Sequence, residues 1–214
     1  TLTVSGSATI SNNGTIDLIN ETAVIRSGTT GTSTLTMGAT GVIKTIDPAG
    51  LGPVANASVQ TQAGGAWTLT SLSTNGTIEY YRSADATGII TDMNYNNLTI
   101  TNANAKTWTP AAARTINGTV TVNGVFTIAG AAQQISVRGD WNNSGGTFNP
   151  GNSTILFTNS GAGHQIGGTT ATQTFNSLTV AIGSTNTLQF TGSTSTVVVN
   201  NTLTMTSGMI QTGT

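Results

Sequence analysis

The chain has 214 residues, a net charge of −1 and charged side chains at only 6% of positions, far below the usual share of about a quarter. Six Lys and Arg in all leave no basic patch for phosphates or for an anionic membrane surface, and the absence of Cys excludes disulfides and thiolate metal sites. No run of about 18 apolar residues occurs, so no segment is expected to span a bilayer as a helix.

Thr, Asn, Ser and Gly fill most of the chain, yet 36% of it is hydrophobic and Val, Ile and Thr abound. Disordered chains lack such β-branched residues and usually carry high net charge. The composition therefore predicts strands and tight turns, with Thr as an uncharged outer-face residue. In chain order, period-two alternation occurs in TLTV (1–4), TLTM (34–37), WTLT (67–70), LTIT (98–101), TVTV (119–122), SLTV (177–180) and TLTM (202–205). Each run is about four residues long, and Asn-Gly, Gly-Thr, Ser-Gly and Gly-Gly pairs between them mark turns. No segment has helical spacing with caps, so the expected class is all-β. The stretch 45–66 fits the alternation poorly, holds Pro48 and Pro53, and is expected to be an inserted loop.

The chain also repeats itself. VNGVFTIAG from Val122 matches VNNTLTMTS from Val199, 77 positions on. NGTIEYY (75–81) matches NSTILFT (152–158) at the same offset, and YNNLTI (95–100) matches FNSLTV (175–180) at 80. A looser copy, VSGSATI (4–10), lies near the start. The expected organisation over 1–214 is a single repetitive β domain. It has divergent coils at 1–74, one repeat unit at 75–151 and an incomplete second unit at 152–214. A period of this kind means stacked units. Three or four rungs of about 20–25 residues fit each repeat and favour a β-solenoid (parallel β-helix) of short-strand coils; tandem β-sandwich modules are the alternative. Val122, Phe126, Ile128, Val199, Leu203 and Met205 are expected in its core.

The chain opens at Thr1 without Met and without a signal peptide, and so reads as a mature product or a fragment. Both ends stop in mid-pattern rather than in a polar cap. Open strand edges are therefore expected at Thr1, Leu2, Thr3 and Val4, and at Thr202, Leu203, Thr204, Met205 and Ile210. Such edges pair with whatever strand is offered, and a head-to-tail contact that does not close makes a filament. The expected partners are copies of the chain or adjoining repeats of the same chain.

The segments FNSLTV, STVVVNNTLTMTSGMIQTG, YNNLTI and INGTVTVNGVFTI resemble the Thr/Asn/Gly-rich β-helical repeats of large bacterial cell-surface, adhesin-like proteins. The resemblance covers about 75–214 and, more loosely, 1–45. It implies secretion, an extracellular or cell-surface location and a mechanical or adhesive role, with surface glycans as a further partner. It carries no catalytic residues.

Chemistry-bearing residues are sparse, and no enzyme activity or cofactor is expected. His164 is the only His and is expected to be a polar turn residue. The acids are Asp17, Glu21, Asp47, Glu79, Asp85, Asp92 and Asp140. Glu79, Arg82, Asp85 and Asp92 form the closest group, which a solvated loop with an ion pair accounts for better than an acid–base pair does. Asp85 with Asp92 is a minor calcium candidate. Trp67, Trp108 and Trp141 either stack on sugars or fill corners. The pairs Thr68/Thr70, Thr99/Thr101 and Thr119/Thr121, with Thr202/Thr204/Thr206, suit an ice-binding ladder only if they align. Asn-x-Ser/Thr triplets, such as those at Asn13, Asn75, Asn117 and Asn200, arise by chance in such a composition.

Overall fold

A strand that alternates Thr with Val, Ile or Leu has one wet face and one dry face. Four residues bury too little to stand alone, so such strands must stack. The computed structural model describes residues 1–20, 22–53, 57–83, 88–159 and 161–212. There the strands stack as a β-solenoid of about nine turns, with no helix among the described residues. All the strand pairs are parallel.

The strands, in chain order, begin with β1 (Leu2–Val4), β2 (Thr9–Asn12) and β3 (Thr15–Leu18). The next circuit is β4 (Ile25–Ser27), β5 (Gly31–Met37) and β6 (Val42–Thr45), and then come β7 (Val59–Gln60), β8 (Gly65–Thr70) and β9 (Thr77–Tyr80). After β10 (Gly88–Ile90) follow β11 (Asn97–Trp108), β12 (Arg114–Ile116), β13 (Val120–Ile128) and β14 (Gln134–Val137). The later coils hold β15 (Trp141–Asn143), β16 (Thr147–Asn149), β17 (Thr154–Thr158), β18 (His164–Gly167) and β19 (Thr172–Ala181). β20 (Thr187–Phe190), β21 (Thr196–Ser207) and β22 (Met209–Gln211) end the stack.

Pairing sorts these strands into three strips that the chain visits in a fixed cyclic order. Strip I runs continuously through β3, β6, β9, β11, β13, β15, β18, β20 and β22. Strip II holds β1, β4 and β7, then β10 with the second halves of β11 and β13 and with β16, then the first halves of β19 and β21. Strip III holds β2, β5 and β8, then a single bridge from Tyr95 to Ile116, then β12, β14, β17 and the second halves of β19 and β21. β11, β13, β19 and β21 are long because each turns a corner and serves two strips. In VTVNGVFTI the corner is Asn123–Gly124, and the buried residues continue on both sides of it. Gly124 is required there, since a Cβ would lie 2.2 Å from the Asn102 carbonyl oxygen of the coil below.

From Ile78 onward, paired residues on strip I lie 20 to 25 positions apart, as expected for the rungs. The two earlier steps are longer, 27 and 35. The longer one takes up the expected inserted stretch, although β7 and the start of β8 fall inside it. There the Gly50 and Leu51 carbonyls accept the Ser58 and Val59 amides at 3.1 and 2.7 Å, and Leu51 is buried.

The core is one narrow column of aliphatic side chains with aromatic rings in its middle. Rings touch in sequence from Tyr80 through Tyr95, Trp108, Phe126 and Trp141 to Phe175, with centroids 5.3 to 6.5 Å apart. Such contacts are worth about 0.5–1.5 kcal/mol each beyond area burial. The many Asn residues have a physical role at the corners. Asn97 and Asn96 Nδ2 donate to Gly76 O at 3.0 and 3.1 Å, Asn117 Nδ2 to Ser73 O at 2.6 Å, and Asn176 Nδ2 to Ser153 O at 3.3 Å. Each bond ties a corner to an earlier coil, and the Gly76 and Ser153 carbonyls also accept the Asn97 and Ser177 amides, both at 3.2 Å.

Val122, Phe126 and Ile128 are buried in this column, as expected. Leu203 and Met205 are not: they are 51% and 46% exposed, and Val199 is only partly buried. They occupy inward positions, since Leu203 pairs with Leu178 and Met205 with Val180. They are wet because β21 is the last strand of its strip and no described residue lies over it.

Candidate assembly edges

The expected edge residues sit at the two open ends of the stack. At one end Leu2 and Val4 belong to β1, which pairs with β4 on one side only. Leu2 is 55% exposed, and Ile10, Ile16 and Leu18 follow on β2 and β3. An apolar cleft of about 270 Å³ opens there between Leu2, Ile16, Leu18 and Ile25. At the other end Thr202, Leu203, Thr204 and Met205 belong to β21, whose only pairing is with β19. Ile210 lies on β22, which pairs only with β20. Among the described residues, each end therefore shows the unused edges of parallel strands on three strips, beside half-buried Leu, Ile, Val and Met.

Neither edge carries much charge. Asp17 on β3 is the one acid on the first coil's described strands, and its carboxylate accepts the Tyr81 hydroxyl. Burial, reinforced by that hydrogen bond, pushes the Tyr81 phenol well above its ordinary value. Lys44 sits beside it, 3.4 Å from Glu79 and over the Tyr81 ring at 4.7 Å. β21 and β22 hold no ionisable side chain. The last described coil thus offers only apolar, uncharged polar and backbone groups on β21 and β22.

The described members of the acidic group read from the sequence, Glu79, Arg82 and Asp92, each have partners outside the group. Glu79 faces outward on strip I, where it pairs with Lys44 and accepts the Thr101 hydroxyl at 2.8 Å. Arg82 is buried, its Nη1 donating to Ile46 O at 2.8 Å. Asp92 lies in the bend before Tyr95 and is gripped by Arg114, Nε to Oδ1 at 2.6 Å and Nη2 to Oδ2 at 2.6 Å. The Arg114 hydrogen bonds hold the Asp92 carboxyl below its usual range. Asp85 and Glu21 lie outside the described residues. No group of three potential metal ligands occurs among the described residues.

His164 is an inward strand residue of β18 rather than a turn residue. Its ring is buried, with Nδ1 2.9 Å from Gly139 O and the Phe157 ring at 6.0 Å. The sequence hid this because the glycines around it mark corners on both sides of a short strand. All three Trp rings are buried too, so none is available to stack on a sugar. Trp67 donates to Gln60 O at 2.9 Å, and Trp141 to Gln173 Oε1 at 3.2 Å.

The Thr runs split between strips. Thr9, Thr34 and Thr68 align on strip III beside Ser11, Thr36 and Thr70. Thr99 aligns with Thr121 on strip I. Thr202 and Thr204 align with Ser177 and Thr179, and Thr206 falls in an irregularity of the ladder. Asn75 Nδ2 donates to Met37 O at 3.2 Å, and Asn117 is engaged as above, whereas Asn13 and Asn200 are exposed.

No helix of the described residues is long and apolar enough to cross a membrane. Compared with protein-family models, with curated proteins and with solved structures, the chain matches none.

Proposed function

We propose that the chain is a structural and adhesive protein of the cell surface or extracellular space. It would serve as a stalk segment or filament subunit that continues by head-to-tail stacking. The observation that carries this reading is that the first and last described coils leave parallel strand edges unused on all three strips, beside exposed Leu2, Leu203 and Met205. A second copy seated on the last coil places β1 over the first half of β21, β2 over its second half and β3 over β22. Val199, Leu203, Met205 and Ile210 then meet Leu2, Val4, Ile10 and Ile16, apolar on apolar. The joint repeats the coil-to-coil contact already made about eight times inside the chain, with strands about 4.8 Å apart. Adjoining coils of a longer chain would be seated in the same way.

Electron microscopy of the purified protein at several concentrations tests this. Thin unbranched fibres whose length grows with concentration are expected. Discrete particles at every concentration would overturn the subunit form of the reading.

A further inference from the structure

A second feature lies on the flank of the stack, away from both ends. Strip III is interrupted between β8 and β12, where Tyr95 makes a lone bridge. A cleft of about 380 Å³ occupies the gap, between the turn after β8 and the bend at 91–94. That volume is in the range of small-ligand sites.

The walls are of two kinds. Leu69, Leu72, Met93 and Pro53 provide carbon surface. The rest is polar and held in place. The Thr91 hydroxyl oxygen accepts the Leu51 and Gly52 amides at 2.8 and 3.3 Å, which leaves its O–H hydrogen to donate. The Asp92 carboxylate is fixed by Arg114 and by the Ala111 amide at 3.1 Å, and it remains an acceptor. Asn94 Oδ1 accepts the Thr115 amide at 2.8 Å, which aims the side chain and leaves Nδ2 as a donor. The Ser71 and Ser73 hydroxyls also line the cleft and have no partner among the described residues.

We propose that this cleft binds one pyranose ring of a neutral saccharide. Fixed acceptors and donors side by side match vicinal hydroxyls, each of which donates and accepts. The carbon wall suits the C–H face of the ring. An anionic ligand is disfavoured, because Asp92 lies on the rim and Arg114 is already neutralised by it. A purely apolar ligand would leave Asp92, Asn94 and the hydroxyls without water. The assignment is independent of end stacking, since a single chain carries the whole cleft.

Saturation-transfer NMR on the full chain tests it, with the methyl pyranosides of glucose, galactose and mannose as probes and glucuronate as the charged control. Millimolar or tighter binding of at least one neutral pyranoside is expected. Asn94→Asp keeps the acceptor for Thr115 but loses the donor, and Ser73→Leu fills the rim. Each should weaken binding at least about tenfold with an unchanged melting temperature, while Asn142→Asp on strip I leaves it unaltered. Absence of neutral-sugar binding, preference for glucuronate, or full binding by both cleft variants would each overturn the assignment.

Discussion

Leu178 and Leu203 occupy the same column of strip III on adjacent coils, so they provide a paired test of the stacking argument. Leu178 is 1% exposed and Leu203 is 51% exposed. Leu178→Ala removes a fully enclosed side chain and leaves a cavity, a loss of about 2–5 kcal/mol. Leu203→Ala in a lone chain forfeits at most about half of the roughly 1.5–3 kcal/mol for burying a Leu, with no closed cavity, so about 1.5 kcal/mol or less. Guanidinium denaturation of dilute protein should show that gap. At the end of the stack the ranking reverses. Leu203→Asp would place a carboxylate between two coils with no cation near it, a penalty of several kcal/mol. At about 1.4 kcal/mol per tenfold, end-to-end association should fall by at least a hundredfold. Sedimentation velocity over a concentration series measures it. If Leu203→Asp assembles like the parent chain, the edges are not the joint. If Leu178→Ala costs no more than Leu203→Ala in the lone chain, the coil assignment itself fails.

Other expectations follow from the interior. Gly168 has φ +110°, and an added Cβ would lie 2.0 Å from Asn143 O; Gly168→Ala should cost at least about 1–3 kcal/mol, from the φ strain alone. Gly14→Ala meets nothing within 4 Å and has no positive φ, so its melting temperature should hold or rise slightly. Gln173 accepts from Trp141 and donates to Gly167 O and Thr194 Oγ1 at 2.9 and 3.1 Å. Gln173→Leu removes the partner of Trp141 Nε1 and a donor to Gly167 O, while the Thr194 hydroxyl keeps Thr170 O, and should lower stability by about 1–3 kcal/mol in the same denaturation assay. Lys106 Nζ donates to the Asn102 and Asn104 carbonyls at 3.1 and 2.7 Å, and burial, with the Arg82 charge second, lowers its pKa to about 8. The folded chain therefore releases that proton before the unfolded chain does, and stability should rise from pH 8 towards about 10. Above about 10 the unfolded Tyr residues ionise, while burial keeps Tyr80 and Tyr95 protonated in the fold, so stability should fall again. Lys106→Met should flatten the rising limb.

The aligned repeats show where sequence reading stops. Ile78 lies on strip I and Ile155 on strip III. Leu98 lies on strip I and its match Leu178 on strip III. Val122 ends a strip I segment, whereas Val199 ends a strip II segment. The same words are used on different faces, because every face needs the same thing: a short alternating strand and a Gly or Asn corner. Alternation distinguishes inside from outside and is blind to which side of the coil a strand forms. The half-buried Leu203 and Met205 are a second instance, since their pattern is identical to that of Leu178 and Val180 one coil earlier.

The sequence alone determined that the chain is all-β, that it is built from short alternating runs with rungs of about 20–25 residues over most of the stack, and which residues of those runs point inward. Those properties are local, set by side-chain period, β-propensity and the backbone freedom of Gly and Asn. Only the tertiary structure decided the three strips, the burial of His164 and every Trp, and the cleft where strip III is interrupted. Those depend on which coil lies over which, and coil lengths of 20 to 35 residues accumulate into an alignment that no single segment encodes.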